Sequence, residues 1–177
     1  MGDGIEPDEK AVQKAVEATA VRLLARREHS VEELRRKLEG RGYPETAVEA
    51  VVTRLQAKRL VSDDRFVSSF VHHHAQRGQG PLRIRAELRQ QGIGTEAIDF
   101  ALDQVEVDWA FQAQAVRLRK FGASLPRTVP ERAKQARFLQ YRGFSSDQIR
   151  SALKSDVESC GSSVTDADAG LDPDPDL

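Results

Sequence analysis

The stretch Gly80-Pro81-Leu82-Arg83-Ile84-Arg85-Ala86-Glu87-Leu88-Arg89-Gln90-Gln91-Gly92-Ile93 decides how this chain is built. It reads as one short helix with both ends marked. Pro81 fits a first helical turn, where no hydrogen bond is lost to proline. Gly92 suits the left-handed residue that closes many helices. Ile84 and Leu88, four apart, form a single apolar stripe. Working outward, the same ending returns: Leu38 with Gly42, Leu88 with Gly92 and Leu139 with Gly143 lie 50 and 51 residues apart. Tyr43, Ile93 and Phe144 follow the glycines, and Val48, Ile98 and Ile149 come five residues later. Four positions kept across three copies at this period mean one small unit used three times.

The rest of each copy follows helix grammar. Ser30 with Glu33, and Ser145 with Gln148, have the form of a capping box. Pro44 and Pro130 fall, like Pro81, where a helix begins. Val12, Val16, Leu23 and Leu24 make one helical stripe, Val31, Leu34 and Leu38 a second, and Val48, Val51, Val52 and Leu55 a third. Copy two repeats this with Phe66, Phe70 and Val71, then Ile84 and Leu88, then Ile98, Ala101, Leu102 and Val105. Copy three is the least regular, with Trp109, Val116 and Leu118, then Phe138 and Leu139, then Ile149, Ala152 and Leu153, and a longer connection from Gly122 to Val129. No segment alternates with period two. The pattern predicts an all-α chain of three tandem three-helix, helix-turn-helix-like repeats with nine main helices. Copy one places them over Asp8 to Glu28, Ser30 to Glu39 and Pro44 to Arg59. The expected division is 1–7 mobile N-terminus, 8–61, 62–106 and 107–154 as the repeats, and 155–177 as a disordered acidic tail. Units this small sit near the lower limit of independent stability and should lean on one another. Stacking on neighbours gives an elongated body whose curvature periodicity leaves open.

The total charge hides an asymmetry. The chain has 27 Lys and Arg against 28 Asp and Glu, yet residues 11–154 hold 26 basic and 17 acidic side chains. Residues 155–177 carry seven acids and no base. Such a composition cannot bury enough apolar surface to order itself. The acidic tail reads either as a solubility device or as a tether that competes with an anionic ligand for the basic body. The chain shows neither an apolar run long enough to span a bilayer nor a signal-peptide core, which predicts a cytoplasmic protein. The single cysteine, Cys160, excludes an internal disulfide.

Basic residues recur in the second helix of each copy. Arg35, Arg36 and Lys37 stand in the first, Arg83, Arg85 and Arg89 with Arg77 nearby in the second, and Arg132, Lys134, Arg137 and Arg142 in the third. These are the candidate contacts to DNA phosphates or to acidic protein patches. A solvated helix face paired with Glu32, Glu33 or Glu87 is the plainer reading. Asp63 reads as a helix-start carboxylate, whereas Phe66, Ile84, Leu88, Ile93 and Phe144 read as scaffold together with Gly80, Pro81, Gly92 and Gly143. His72, His73 and His74 are consecutive, hence splayed about a helix rather than set as paired ligands, and no metal site is expected. The chain has no phosphate-cradling loop, zinc spacing or supported nucleophile, so no catalytic residue and no cofactor are expected.

The run Leu60-Val61-Ser62-Asp63-Asp64-Arg65-Phe66, followed by Arg77-Gly78-Gln79-Gly80-Pro81-Leu82-Arg83-Ile84-Arg85-Ala86-Glu87-Leu88 and then Gly92-Ile93, resembles the RecX family of recombinase regulators. Arg142, Gly143 and Phe144 resemble that family's third-repeat motif, and the likeness spans about residues 11–154. Ser62 stands where the family commonly has Asn or Asp, and it can still cap the following helix. The resemblance implies a non-enzymatic protein that binds RecA, above all the RecA filament on single-stranded DNA, as a monomer with at most weak contact to nucleic acid. Lying along the filament groove, such a body would block strand exchange or ATP hydrolysis by RecA, and binding at a growing end would stop extension. The rival reading is a tandem helix-turn-helix protein that binds duplex DNA.

Overall fold

The computed structural model describes residues 7–154, so the expectations for the N-terminus before Pro7 and for residues 155–177 lie outside the described residues. The described residues form helices and connecting turns. Repeat 1 contains α1 (Pro7–Leu24), α2 (Val31–Glu39) and α3 (Glu45–Ala57). Repeat 2 contains α4 (Asp63–Gln76), α5 (Pro81–Gln90) and α6 (Thr95–Gln104). Repeat 3 contains α7 (Trp109–Phe121), α8 (Val129–Tyr141) and α9 (Ser146–Ala152).

Local chemistry sets these boundaries. Ser30, Ser62 and Asp108 accept hydrogen bonds from the free amides of α2, α4 and α7. Ser145 and Gln148 cap α9 reciprocally, as their spacing predicts. At Ser30 only half of that box forms. The Glu33 amide donates to Ser30 Oγ at 3.0 Å, but the Glu33 carboxylate turns to Arg27 and Lys37. A second reciprocal box, Thr128 with Glu131, starts α8. α1 stops at Leu24, short of Glu28, because Arg27 and Glu28 leave the helix to pair with Glu33 and Arg65.

Each repeat closes on its own core. Val16, Leu34, Leu38, Val48, Val51, Val52 and Leu55 are buried in the first. Phe66, Val67, Val71, Ile84, Leu88 and Ile98 fill the second. The third has only Ala113, Leu139, Phe144 and Ala152 at its centre. A fully buried Leu or Ile stabilises by roughly 1.5–3 kcal/mol, so the first two cores are the stronger.

The repeats are joined by one contact used twice. At the end of α8, the Arg142 and Gly143 carbonyls accept from the Gly80 and Leu82 amides at the start of α5, at 2.8 and 3.0 Å. At the end of α5, the Gln91 carbonyl accepts from Ser30 Oγ, the cap of α2, at 2.8 Å. Carbonyls at the end of one helix thus meet donors at the start of the next, backbone amides at the first joint and the capping hydroxyl at the second. α8, α5 and α2 form a column. The glycines make the approach possible: Gly143 has φ +89°, and a Cβ there would overlap the backbone of Arg83. Gly92 has φ +79°, and its Cβ would fall 2.8 Å from Glu32.

Candidate partner-binding surface

The column determines where the basic residues of the three second helices lie. On α8, Lys134, Arg137 and Tyr141 follow i, i+3, i+7 spacing and share a face. Tyr141 is 65% exposed, and the Arg83 guanidinium lies 5.5 Å from its ring centroid, which carries the face across the joint onto α5. At the next joint, Arg36 donates to the Gln90 carbonyl at 3.2 Å and the Gln91 side-chain oxygen at 3.0 Å. A ribbon from Lys134 through Arg137, Tyr141 and Arg83 to Arg36 therefore runs over all three repeats. Tyr141 and the exposed Leu82 were not sequence candidates. Their signal lay in register, since the outward face of an aromatic two residues before a repeat glycine is defined only once the joint is known.

The remaining basic candidates divide by what holds them. Arg35 binds Glu49 at 2.9 Å and Glu32 at 2.7 Å, and Arg85 binds Asp99. The two pairs, 35 with 49 and 85 with 99, are the same tether between second and third helices, 50 residues apart. Repeat 3 has Ala136 and Arg150 at those positions, so the tether is missing there. Lys37 is drawn to Glu33 at 2.8 Å and donates to His29 Nε2 at 3.1 Å. Because lysine only donates, His29 Nε2 accepts, and its Nδ1–H is left to donate to the Arg27 carbonyl at 2.9 Å. Burial lowers the His29 pKa, consistent with this neutral form. Arg142 lies 5.4 Å from the Phe138 ring centroid. Among the described residues, Arg77, Arg89, Arg132 and Lys134 make no ion pair or side-chain hydrogen bond.

The scaffold candidates fall in the core and at the joints. Phe66, Ile84, Leu88 and Phe144 are buried. Gly80 lies so close to Gly143 that a Cβ would overlap it, and Pro81 starts α5. Asp63 is the first residue of α4, the helix-start position expected of it, but its carboxylate reaches a different helix. Ser62 caps α4, whereas Asp63 Oδ1 accepts from the Val31 amide at 2.8 Å and caps α2 of the preceding repeat. Of the three histidines, His72 and His73 are exposed, while His74 stacks on Phe70 with centroids 3.8 Å apart. Burial lowers the His74 pKa.

Sequence reasoning also missed Arg117. It is fully buried, donates to the Ser124 carbonyl at 3.1 Å, and leaves Nε and Nη2 without a partner. Counted from the helix caps, it occupies the core position of Val71 in repeat 2. Burial, with no carboxylate paired with it among the described residues, lowers its pKa.

A row of three-helix units joined through the ends of their second helices defines a tandem-repeat helical scaffold. Residues 18–55, 62–102 and 111–153 match the first, second and third three-helix domains of RecX in turn. The chain is 48% identical over 142 residues to Regulatory protein RecX of Halorhodospira halophila, covering 80% of this chain and 88% of that one. It is 48% identical over 139 residues to Regulatory protein RecX of Pseudomonas fluorescens strain Pf-5, covering 78% and 90%. A crystal structure of regulatory protein RecX superposes with a TM-score of 0.68 at 26% identity, over 81% of this chain and 72% of that one. RecX from Lactobacillus salivarius, at 18% identity, shares the fold with a TM-score of 0.68 over 82% and 96%. The chain belongs to the RecX family. No helix among the described residues is long and apolar enough to cross a membrane.

Proposed function

We propose that this protein binds RecA, chiefly the RecA filament on single-stranded DNA, and restrains filament extension, ATP hydrolysis and strand exchange, so modulating homologous recombination and DNA repair. It acts in the cytoplasm as a monomer, by binding rather than catalysis. The contact surface is the ribbon along α8, α5 and α2, with Lys134, Arg137, Arg83 and Arg36 as its charges and Tyr141 at its centre. The observation that carries this reading is the column itself. It sets the basic second helices of the three repeats end to end, with Glu87 between Arg83 and Arg36, a spacing suited to a target that repeats along an axis.

The duplex-reading alternative would use the helix-turn-helix formed by the second and third helices, with the third helix entering a groove by its N-terminal turn. Those first turns carry Glu45, Glu96 and Asp147, which phosphates repel. The test is single-stranded-DNA-dependent ATP hydrolysis by the cognate RecA, titrated with this protein, beside binding to duplexes of unrelated sequence. Inhibition at well below one molecule per RecA subunit, with no sequence-dependent duplex binding, is the expected result. No effect on hydrolysis or filament assembly would overturn the reading.

A further inference from the structure

Repeat 3 differs from its neighbours in the charge it leaves unpaired. Residues 129–154 hold six basic side chains and two acidic ones. Both acids are occupied: Glu131 Oε2 accepts from the Arg127 amide at 2.8 Å and the Thr128 amide at 3.2 Å, and Asp147 pairs with Arg150. With Ala136 and Arg150 replacing the inter-helix tether, no described carboxylate is paired with Arg132, Lys134 or Arg137. Directly after Lys154 the sequence supplies seven acids and no base within 23 residues.

From this complementarity we infer that residues 155–177 dock on the basic ribbon of α8 and α5 in the free protein and compete there with an external partner. Reach is ample. An extended chain spans at most about 3.3–3.6 Å per residue, so 23 residues extend up to roughly 76–83 Å. α8 and α5, of 13 and 10 residues, together span about 35 Å. A tethered segment acts at an effective concentration of order millimolar, enough for weak charge pairing to be well populated. The attraction is between exposed charges and is therefore screened by salt. The regulatory consequence rests on the ribbon being the partner surface, as proposed above. The docking itself does not.

Cys160 is the only cysteine of the full chain and lies in this segment, so a nitroxide can be attached there without mutation. Paramagnetic broadening of backbone amide resonances should reach Lys134, Arg137 and Arg83 at about 0.1 M salt. It should fade at about 1 M, as the Debye length falls from roughly 10 to roughly 3 Å. It should also vanish when the seven acids are changed to their amides, as in Asp156→Asn and Glu158→Gln. Absence of broadening in the native chain, or its persistence in the amide variant, would overturn the docking. Broadening lost on dilution would assign the ribbon to the tail of a second copy and overturn the intramolecular form. With docking observed, the amide variant should inhibit RecA at about 3–10-fold lower concentration. Unchanged inhibition would overturn the competition and the ribbon's assignment while leaving the docking in place.

Discussion

Repeats 2 and 3 share one layout and differ in what fills it. Where repeat 2 buries Val71 and Ile84, repeat 3 buries Arg117 and Gln135. Arg117 Nε and Nη2 and Gln135 Oε1 have no hydrogen-bond partner among the described residues. Layout survives because helix ends, glycine turns and the Gly80–Gly143 joint set it, and these do not depend on the core. Stability should not survive equally. An uncompensated buried cation costs several kcal/mol, so repeat 3 should hold its shape partly by docking on repeat 2 and should open first.

The sharpest way to break the contrast is to give repeat 2 the residue of repeat 3. Val71→Arg should destabilise by about 3–5 kcal/mol and melt the central repeat, read by denaturant unfolding. Next comes the joint. Gly143→Ala combines left-handed strain with overlap on Arg83 and should cost about 2–4 kcal/mol, with exchange protection lost across repeat 3. Gly42→Ala has φ +83° but nothing within 4 Å, so it should cost only the conformational strain, about 1–2 kcal/mol. Equal losses at the two glycines would remove the joint from the account.

The reverse exchange should be smaller and of opposite sign. Arg117→Met removes a buried cation that lacks a counter-ion and should raise stability by about 1–3 kcal/mol, despite losing the hydrogen bond to Ser124. A drop of similar size would mean that fixing the loop matters more than the desolvation.

Acid separates the repeats further. Burial alone would raise the Glu33 pKa, but hydrogen bonds from Arg27 and Lys37 override it and hold the group at about 2, against an ordinary 4.5. A depressed carboxyl contributes stability above its ordinary pKa and loses it as pH falls from about 4.5 towards 2. His29, lowered mainly by burial, also binds more protons when unfolded, so its contribution fades as pH falls through its ordinary 6.5. Protection of the amides around α2, corrected for the intrinsic slowing of exchange in acid, should therefore fall below neutral pH and again below about 4.5. Flat protection from pH 7 to 3 would contradict both shifts.

The sequence was legible wherever structure is local. The repeat glycines end helices in the left-handed conformation, the Ser145–Gln148 box forms, and Ser62 caps α4. What it hid depends on contacts between distant residues. Asp63 caps a helix 32 residues upstream, and Glu33 abandons its box for Arg27 and Lys37. Arg117 escapes a reading of the sequence because the apolar residues on either side of it, Val116 and Leu118, suggest the stripe instead. The candidate surface was half legible. Recurrence pointed to the second helices, but separating ribbon residues from tethers needed the ion pairs of Arg35 and Arg85.

The ribbon itself is tested by reversing its charge while sparing the fold. Arg83→Glu, Lys134→Glu and Arg137→Glu together should change stability little, since among the described residues Lys134 makes no ion pair or side-chain hydrogen bond, Arg137 donates only to a backbone carbonyl and the Arg83–Glu87 pair is partly exposed. A control reverses Lys14, Arg22 and Lys58 on α1 and the end of α3. Measured as the concentration that half-inhibits RecA ATP hydrolysis, the ribbon variant should be weaker by at least about tenfold, with the control near the native value. Equal inhibition by all three folded proteins, or equal loss in both variants, would contradict the ribbon as the binding surface.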